Sequence, residues 1–183
     1  MKEVEIKAKL RDREGVMSKL KALGCSFEAP VTQSDVVYAR NVASLKAFRT
    51  NDVFLRIRDK RGPKGAKILF TLKKRMVNDL DAIEHEVEID SKEEMEKALL
   101  LMGYNEVVRV EKTRVTTRYN DCEICIDDVK NLGAFIEMEK LTEAGDSEKI
   151  QDELFAFFIT LGITPEDRAF SGYDILMLEK MGK

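Results

Sequence analysis

Polar and apolar residues alternate over much of this sequence, with the period of an extended strand. Near the start of the chain, Glu3, Glu5 and Lys7 alternate with aliphatic residues. Because successive side chains of a strand point to opposite faces, these three charged groups share one face. Similar segments recur along the chain, so eight strands are predicted. They lie at residues 2–10, 33–40, 52–59, 66–75, 83–90, 106–119, 122–129 and 133–140.

Helix signals separate some of these strands. Asp12 is a suitable N-cap and Gly24 a suitable C-cap for a first helix. Ser91 and Glu94 form a capping box, and the helix that they begin ends at Gly103. Two more helices are predicted, from residues 145–147 to about 161 and from Thr164-Pro165 onward. The pattern indicates an α+β fold in which amphipathic helices cover the apolar face of the strands.

The charged faces of the strands are sorted by sign. Basic pairs occur at residues 56–58 and 112–114, whereas acidic pairs occur at residues 3–5 and 137–139. A solvated sheet face is the alternative, with cross-strand ion pairs that stabilise by about 0.2–1 kcal/mol each. The segregation of acids from bases, and their position at strand centres, favour an enclosed charged interior.

A weak internal repeat points the same way. The sequence EVEI at residues 3–6 is followed by a helix that ends near residue 24. The same sequence, EVEI, recurs at residues 86–89 and is followed by a helix that ends near residue 103. Two related halves that close into one barrel explain this similarity, and chance likeness of two strand–helix units is the alternative. We therefore expect a single domain over residues 1–183, with halves at about 1–80 and 84–162.

Composition narrows the functional classes. The chain has 183 residues, of which 36% are charged, and a net charge of −3, which does not suggest a nucleic-acid binder with a basic surface. It has no apolar run of the roughly 20 residues that span a bilayer. A strand begins at once, which leaves no room for a signal peptide. Three cysteines, an odd number, fit a reducing cytoplasm, so we expect a cytoplasmic protein.

The charged residues indicate a particular ligand chemistry. Arginine binds phosphate oxygens in a bidentate manner, and lysine acts as a point charge toward phosphate. Clustered carboxylates suit Mg²⁺ or Mn²⁺, which prefer oxygen ligands and bridge to phosphates. A face that offers both groups is typical of a site for a metal ion and a triphosphate.

These residues also match a known family. The ordered series resembles the CYTH superfamily, also called triphosphate tunnel metalloenzymes, over residues 1 to 176. The matching motifs are Glu3-x-Glu5-x-Lys7, Leu55-Arg56-Ile57-Arg58, Thr71-Leu72-Lys73, Glu84-x-Glu86, Val110-x-Lys112-x-Arg114, Asp127-x-Val129 and Leu132-Gly133-x-Phe135-x-Glu137-x-Glu139. The resemblance implies a closed eight-stranded antiparallel β-barrel, or tunnel, with charged side chains inside and helices packed outside.

The resemblance also implies roles for individual residues. The implied metal ligands for Mg²⁺ or Mn²⁺ are Glu3, Glu5, Asp127, Glu137 and Glu139. The implied triphosphate-binding residues are Lys7, Arg56, Arg58, Lys73, Lys112 and Arg114. The implied catalytic residues are Glu5, Lys7, Asp127 and Glu139. The chain departs from the family pattern at residues 35–38 and at Ser171-Gly172-Tyr173, which bears on the nucleoside end of the substrate.

Two reactions are consistent with the resemblance. A class IV adenylyl cyclase converts ATP to cyclic AMP and pyrophosphate, and this is the activity that we expect. The alternative is a triphosphatase that hydrolyses thiamine triphosphate, inorganic tripolyphosphate or a nucleoside triphosphate. A binder of polyphosphate or nucleotide without turnover is a third hypothesis. The apolar residues 175–178 either close a tunnel end or form a homodimer contact, and we predict packing within the chain.

Overall fold

Eight antiparallel strands close into a barrel in the computed structural model, which describes residues 2–40, 42, 44–49, 53–143 and 145–182. The strands in these residues are β1 (Lys2–Lys9), β2 (Val31–Ala39), β3 (Val53–Gly62), β4 (Gly65–Arg75), β5 (Asp81–Ile89), β6 (Asn105–Tyr119), β7 (Cys122–Val129), β8 (Gly133–Thr142) and β9 (Arg168–Ala169). Their order is β5-β4-β3-β2-β6-β7-β8-β1, and β1 returns to β5. The short β9 is the ninth strand and pairs with β1. The predicted closed barrel is therefore confirmed.

Helices cover the outside of the barrel. In the described residues they are α1 (Arg13–Ala22), α2 (Leu45–Arg49), α3 (Lys92–Leu101), α4 (Ser147–Thr160) and α5 (Tyr173–Lys180). The predicted caps are present, since the side chains of Asp12 and Ser91 accept hydrogen bonds from Gly15 N and Glu94 N. The aliphatic faces of β1, β7 and β8 pack against α1 and α4, and those of β2, β3 and β4 pack against α3.

The interior of the barrel changes character along its axis. Over most of its length the inward residues are charged, as the alternation predicts. At one end they become apolar, and Val37, Phe54 and Val108 pack against Ile175 and Leu178 of α5. This end is therefore closed by a helix of the same chain. The prediction that residues 175–178 pack within the chain is confirmed for Ile175 and Leu178, and a homodimer stays a prediction.

Strand β1 pairs unequally with its two neighbours in the barrel. On one side it pairs with β8 over eight residue pairs, but on the other it meets β5 over only three. Helix α4 supports this short closure, because Gln151 Nε2 donates hydrogen bonds to Glu5 O at 3.0 Å and to Leu80 O at 3.3 Å. Asp81 Oδ2 accepts a hydrogen bond from Ser147 Oγ at 2.8 Å and lies 3.1 Å from Lys2 Nζ. The position of the acidic strand β1 thus depends on α4.

The last predicted helix is placed wrongly by the sequence pattern. Thr164 and Pro165 begin a single 3-10 turn rather than a helix, and Asp167 closes it by accepting hydrogen bonds from Thr164 N and Oγ1. The chain then pairs with β1 through β9, and the final helix begins only at Tyr173. Pairing of β9 with the distant strand β1 takes the place of the predicted helix, and no local sequence signal indicates that pairing.

The other predicted strand limits agree with the structure to within three residues. The predicted start of the third strand, at residue 52, lies outside the described residues. Among the described residues, none of the helices has the length and apolar character needed to cross a membrane.

Candidate active site in the barrel

A cavity of about 530 Å³ fills the charged part of the barrel. Ten carboxylates and eight basic side chains of the described residues line it, so the two signs nearly balance. Most come from the eight barrel strands, because every strand points alternate residues inward, and the others come from the turn between β4 and β5 and from the first turn of α5. The cavity is within the range of about 300–1,000 Å³ that is usual for small-molecule sites.

One side of the cavity is a row of like charges. Glu5 of β1 lies opposite Glu139 of β8, which in turn lies opposite Glu123 of β7, and Glu3 is two residues from Glu5. Directly opposed carboxylates repel each other. Burial and the neighbouring Glu3 and Glu5 raise the pKa of Glu139 to about 8. Burial and Glu137 likewise raise the pKa of Glu5. We call Glu3, Glu5, Glu123 and Glu139 the acidic row.

The acidic row fits a hard divalent cation. Its donors are carboxylate oxygens, which Mg²⁺ and Mn²⁺ prefer. Glu5 Oε1 is buried, and its one close partner among the described residues is Lys7 Nζ at 2.8 Å. In the described part of the chain, no three carboxylate, thiol or imidazole groups already converge to hold a metal ion. Mg²⁺ is usually held by one or two carboxylates together with water and substrate phosphates, so three converging side chains are not needed.

A buried network of ion pairs forms the deep wall beside the acidic row. Glu137 Oε1 lies 2.9 Å from Lys7 Nζ, and Glu137 also contacts Arg114. Arg114 donates to both carboxylate oxygens of Asp127, and Lys112 Nζ donates to Asp127 Oδ2 at 3.0 Å. Burial opposes ionisation of Glu137, but Lys7 and Arg114 hold its pKa well below the usual value. Burial and Arg114 lower the pKa of Lys112 to about 8.

The opposite side of the cavity is basic. Arg58 donates two hydrogen bonds of 2.7 Å to Asp35, and against the effect of burial this pairing lowers the pKa of Asp35. Arg56 Nη2 donates to Thr71 at 3.2 Å and lies 3.6 Å from Glu84, which also contacts Lys73. Burial lowers the pKa of both Arg56 and Lys73. These cations are therefore only partly compensated and face the cavity.

The structure brings most of the predicted site residues together. The residues from the sequence that line the cavity are Glu3, Glu5, Lys7, Arg56, Arg58, Lys73, Lys112, Arg114, Glu137 and Glu139. Asp127 is different, because its side chain has no exposed surface and is held by Arg114 and Lys112. Its assignment as a metal ligand stays a prediction, and so does that of Glu137, which is paired with two cations.

Several cavity residues were not singled out from the sequence. Glu123 completes the acidic row, and its two-residue spacing from Cys125 and Asp127 was the available signal. Gln33 is buried, with an amide oxygen that has no hydrogen-bond partner among the described residues, and Arg75 lines the closed end. A lone glutamine, or an arginine near the end of a strand, has no pattern that distinguishes it from a structural residue.

Histidine and cysteine do not supply the chemistry of this cavity. His85 is exposed and does not line the cavity. Cys125 faces the buried ion pairs, and burial raises the pKa of its thiol to about 12. A thiolate nucleophile is therefore disfavoured near neutral pH. The groups available for catalysis are carboxylates and cations.

Comparison with known proteins agrees with this architecture. A CYTH domain model matches residues 1–173. The chain belongs to the CYTH domain family. CYTH proteins include adenylyl cyclase-like enzymes and triphosphatases, they bind triphosphate substrates, and they use divalent metal ions.

Individual relatives extend the comparison. A Methanocaldococcus jannaschii protein named "Putative adenylate cyclase MJ0240" is 35% identical over 173 residues, which are 91% of this chain and 93% of that protein. The solved PH1819 protein of Pyrococcus horikoshii matches with a TM-score of 0.82 and 27% identity, over 97% of this chain and 99% of that one. A Hippeastrum protein, a "putative adenylyl cyclase" with "a dominant" triphosphatase activity, matches with a TM-score of 0.60 and 18% identity, over 100% of this chain and 97% of that one. This last likeness concerns the fold alone.

Asp35→Asn should destabilise the protein at neutral pH by about 3–5 kcal/mol, because it leaves the buried Arg58 without its counter-charge. The folded-state pKa of Asp35 is lowered, so its contribution is complete above the unfolded pKa of about 3.9 and is lost as the pH falls below that value. Urea unfolding of both proteins at pH 7 and pH 3 measures this, and the difference between them should shrink at pH 3.

Asp59→Asn is the matched control for that measurement. Asp59 makes the same kind of bidentate pair with Arg61, but Arg61 is largely exposed. Exposed ion pairs contribute little to stability, so this variant should unfold nearly as the parent does. Equal losses in the two variants at pH 7 would contradict the role given to the buried pair.

Proposed function

We propose that this protein is a metal-dependent enzyme that acts on the triphosphate chain of its substrate. The observation that carries the proposal is the two-sided cavity, with carboxylates on one side and partly compensated cations on the other. The acidic row would hold Mg²⁺ or Mn²⁺, which supplies charge neutralisation and activates a nucleophile when bound. Arg56, Arg58, Lys73, Lys112 and Arg114 would contact the phosphate oxygens, and Lys7 lies between the two groups.

The balance of charges supports a need for metal ions. Ten carboxylates and eight basic groups of the described residues line the cavity, and even with Glu139 protonated, as its pKa of about 8 implies near neutral pH, the cavity has no excess of positive charge to attract a polyanion. Divalent ions bound at the acidic row would reverse that balance and release Lys7 from full compensation by Glu5. The affinity for triphosphate, and not only the rate of turnover, should therefore depend on the metal.

Hydrolysis at the terminal phosphorus is the reaction that the cavity lining favours. Among the described residues, the aromatic side chains that line the cavity are Phe54 and Tyr173, and both are buried at the closed end. No other aromatic ring of the described residues lines the cavity, so none is available there to stack on a base. The other demands of the reaction, positioning and charge neutralisation of the phosphates, would be met by the acidic row with its metal ion and by the cavity cations.

Cyclisation of ATP is the second candidate. The cavity of about 530 Å³ has more room than a bare triphosphate chain requires, and a relative 35% identical carries the name of an adenylate cyclase. In that reaction the ribose 3′-oxygen attacks the α-phosphorus and pyrophosphate leaves. The same cations would then offset charge on the departing pyrophosphate.

The products distinguish these reactions. The purified protein is incubated with tripolyphosphate, thiamine triphosphate or ATP, each with Mg²⁺ or Mn²⁺, and the products are separated by ion chromatography. We expect orthophosphate and pyrophosphate from tripolyphosphate. Cyclic AMP from ATP would establish the cyclase instead. Metal-dependent binding without any product would establish a binder and refute the enzyme.

Glu5→Gln and Glu139→Gln should each lower metal-dependent turnover at least 100-fold, because each removes a charged ligand from the acidic row. Without metal, neither change should lower the free energy of unfolding, since it removes repulsion between opposed carboxylates. Turnover assays and urea unfolding measure the two effects. Glu111→Gln, on the exposed outer face of β6, is the control and should behave as the parent. Parental activity in both acidic-row variants would refute the metal assignment.

Arg56→Ala and Lys73→Ala should weaken tripolyphosphate binding about tenfold to a hundredfold, which corresponds to the loss of a hydrogen bond to a charged group. Calorimetric titration with tripolyphosphate and Mg²⁺ measures the affinity. Lys74→Ala removes the same type of charge from the neighbouring position of β4, whose side chain is exposed on the outer face. It should bind as the parent does, and equal weakening by Lys74→Ala would contradict a specific cation site.

A further inference from the structure

Tyr173 brings two cavity lysines together at the closed end of the barrel. It is the first residue of α5 and is only 7% exposed. Lys7 Nζ lies 4.2 Å from the centre of its ring, and Lys112 Nζ lies 4.8 Å from the same point. The two lysines belong to β1 and β6, which are not neighbours in the barrel. One ring therefore contacts ammonium groups from separate strands.

The ring supplies an attraction that the carboxylates do not. Two ammonium groups near one point repel each other, and burial makes that repulsion stronger. The negative face of an aromatic ring attracts a cation within about 6 Å of its centre without adding a net charge. The carboxylates within ion-pair distance differ, because Lys7 pairs with Glu5 and Glu137 whereas Lys112 pairs with Asp127.

Packing fixes the ring in this place. Phe135 meets it edge to face, with 5.3 Å between the ring centres. The preceding residue but one, Ser171, donates a hydrogen bond to Asp79 at 3.2 Å, and the following residue, Asp174, lies 3.4 Å from Arg75. The Tyr173 hydroxyl is buried but has no hydrogen-bond partner among the described residues. The ring, rather than the hydroxyl, is therefore the part that is held.

We infer that Tyr173 is a positioning residue for the triphosphate, whose aromatic ring holds Lys7 and Lys112 in place to receive the phosphate oxygens. This inference rests on the proposed function, because it concerns the same cavity. It differs from the expectation for residues 171–173, which linked this segment to the nucleoside end of the substrate. The ring contacts phosphate-binding lysines at the closed end instead.

Tyr173→Phe and Tyr173→Leu separate the ring from the hydroxyl. Tyr173→Phe keeps the ring and should bind tripolyphosphate, with Mg²⁺ present, within about twofold of the parent. Tyr173→Leu removes the ring and should weaken binding about tenfold, the size expected for loss of cation–π contacts. Calorimetry gives the affinity, and steady-state assays should show that KM rises more than kcat falls, since the change acts on phosphate binding.

Phe158→Leu controls for a general loss of stability. Phe158 is fully buried in the core outside the barrel, so the change removes a ring of similar burial away from the cavity. Urea unfolding verifies that the two leucine variants are folded, and Phe158→Leu should bind tripolyphosphate as the parent does.

Three results would overturn the inference. They are parental affinity in Tyr173→Leu, an equal loss of affinity in Phe158→Leu, and an equal loss in Tyr173→Phe, which would assign the effect to the hydroxyl. If the proposed function itself is wrong, the result is distinguishable, because the parent protein would then bind no tripolyphosphate.

Discussion

The structure depends on the cost of placing charge inside a barrel. A buried charge without a partner is strongly unfavourable, so each interior cation has to lie near a carboxylate. The pairing is visible throughout the cavity, from the double hydrogen bond between Arg58 and Asp35 to the contacts of Arg114 with Asp127 and Glu137. The acidic row is the exception, since its carboxylates face one another. That local imbalance is what makes the row a candidate for metal binding.

The barrel architecture serves this pairing. Antiparallel strands place inward residues of neighbouring strands directly opposite each other, which sets Arg114 against Asp127 and Glu5 against Glu139. The outward aliphatic faces are buried by α1, α3 and α4, so the stability of the fold comes from outside the barrel. The interior is thereby free to carry groups chosen for chemistry rather than for packing.

Much of the fold and of the site follows from the sequence, because period-two alternation is a local signal. Glu3, Glu5 and Lys7 reveal a shared face on their own, and the segregation of acids from bases indicates that the face is enclosed. The register between strands is not local, however. Nothing in a single sequence tells that Glu123 joins Glu5 and Glu139 in one row, or that Asp127 is sealed by Arg114 and Lys112.

The closed end was the hardest part to predict for the same reason. Val37, Phe54 and Val108 look like ordinary strand residues, and only the arrival of α5 shows why the interior turns apolar there. Tyr173 reaches that position because β9 first pairs with β1 and redirects the chain. Both features rely on contacts between segments that are distant in the sequence, which local patterns of hydrophobicity do not encode.

The short pairing between β1 and β5 makes a seam in an otherwise continuous hydrogen-bonded wall. Local opening has its lowest free energy where few hydrogen bonds must break, so amide hydrogens at this seam should exchange before those elsewhere in the barrel. The seam runs beside Glu3, and Gln151 of α4 reaches across it to Glu5 and Leu80. A helix on the outer surface thus governs how firmly the acidic wall is shut, and a change in its packing would reach the cavity without touching any residue inside it.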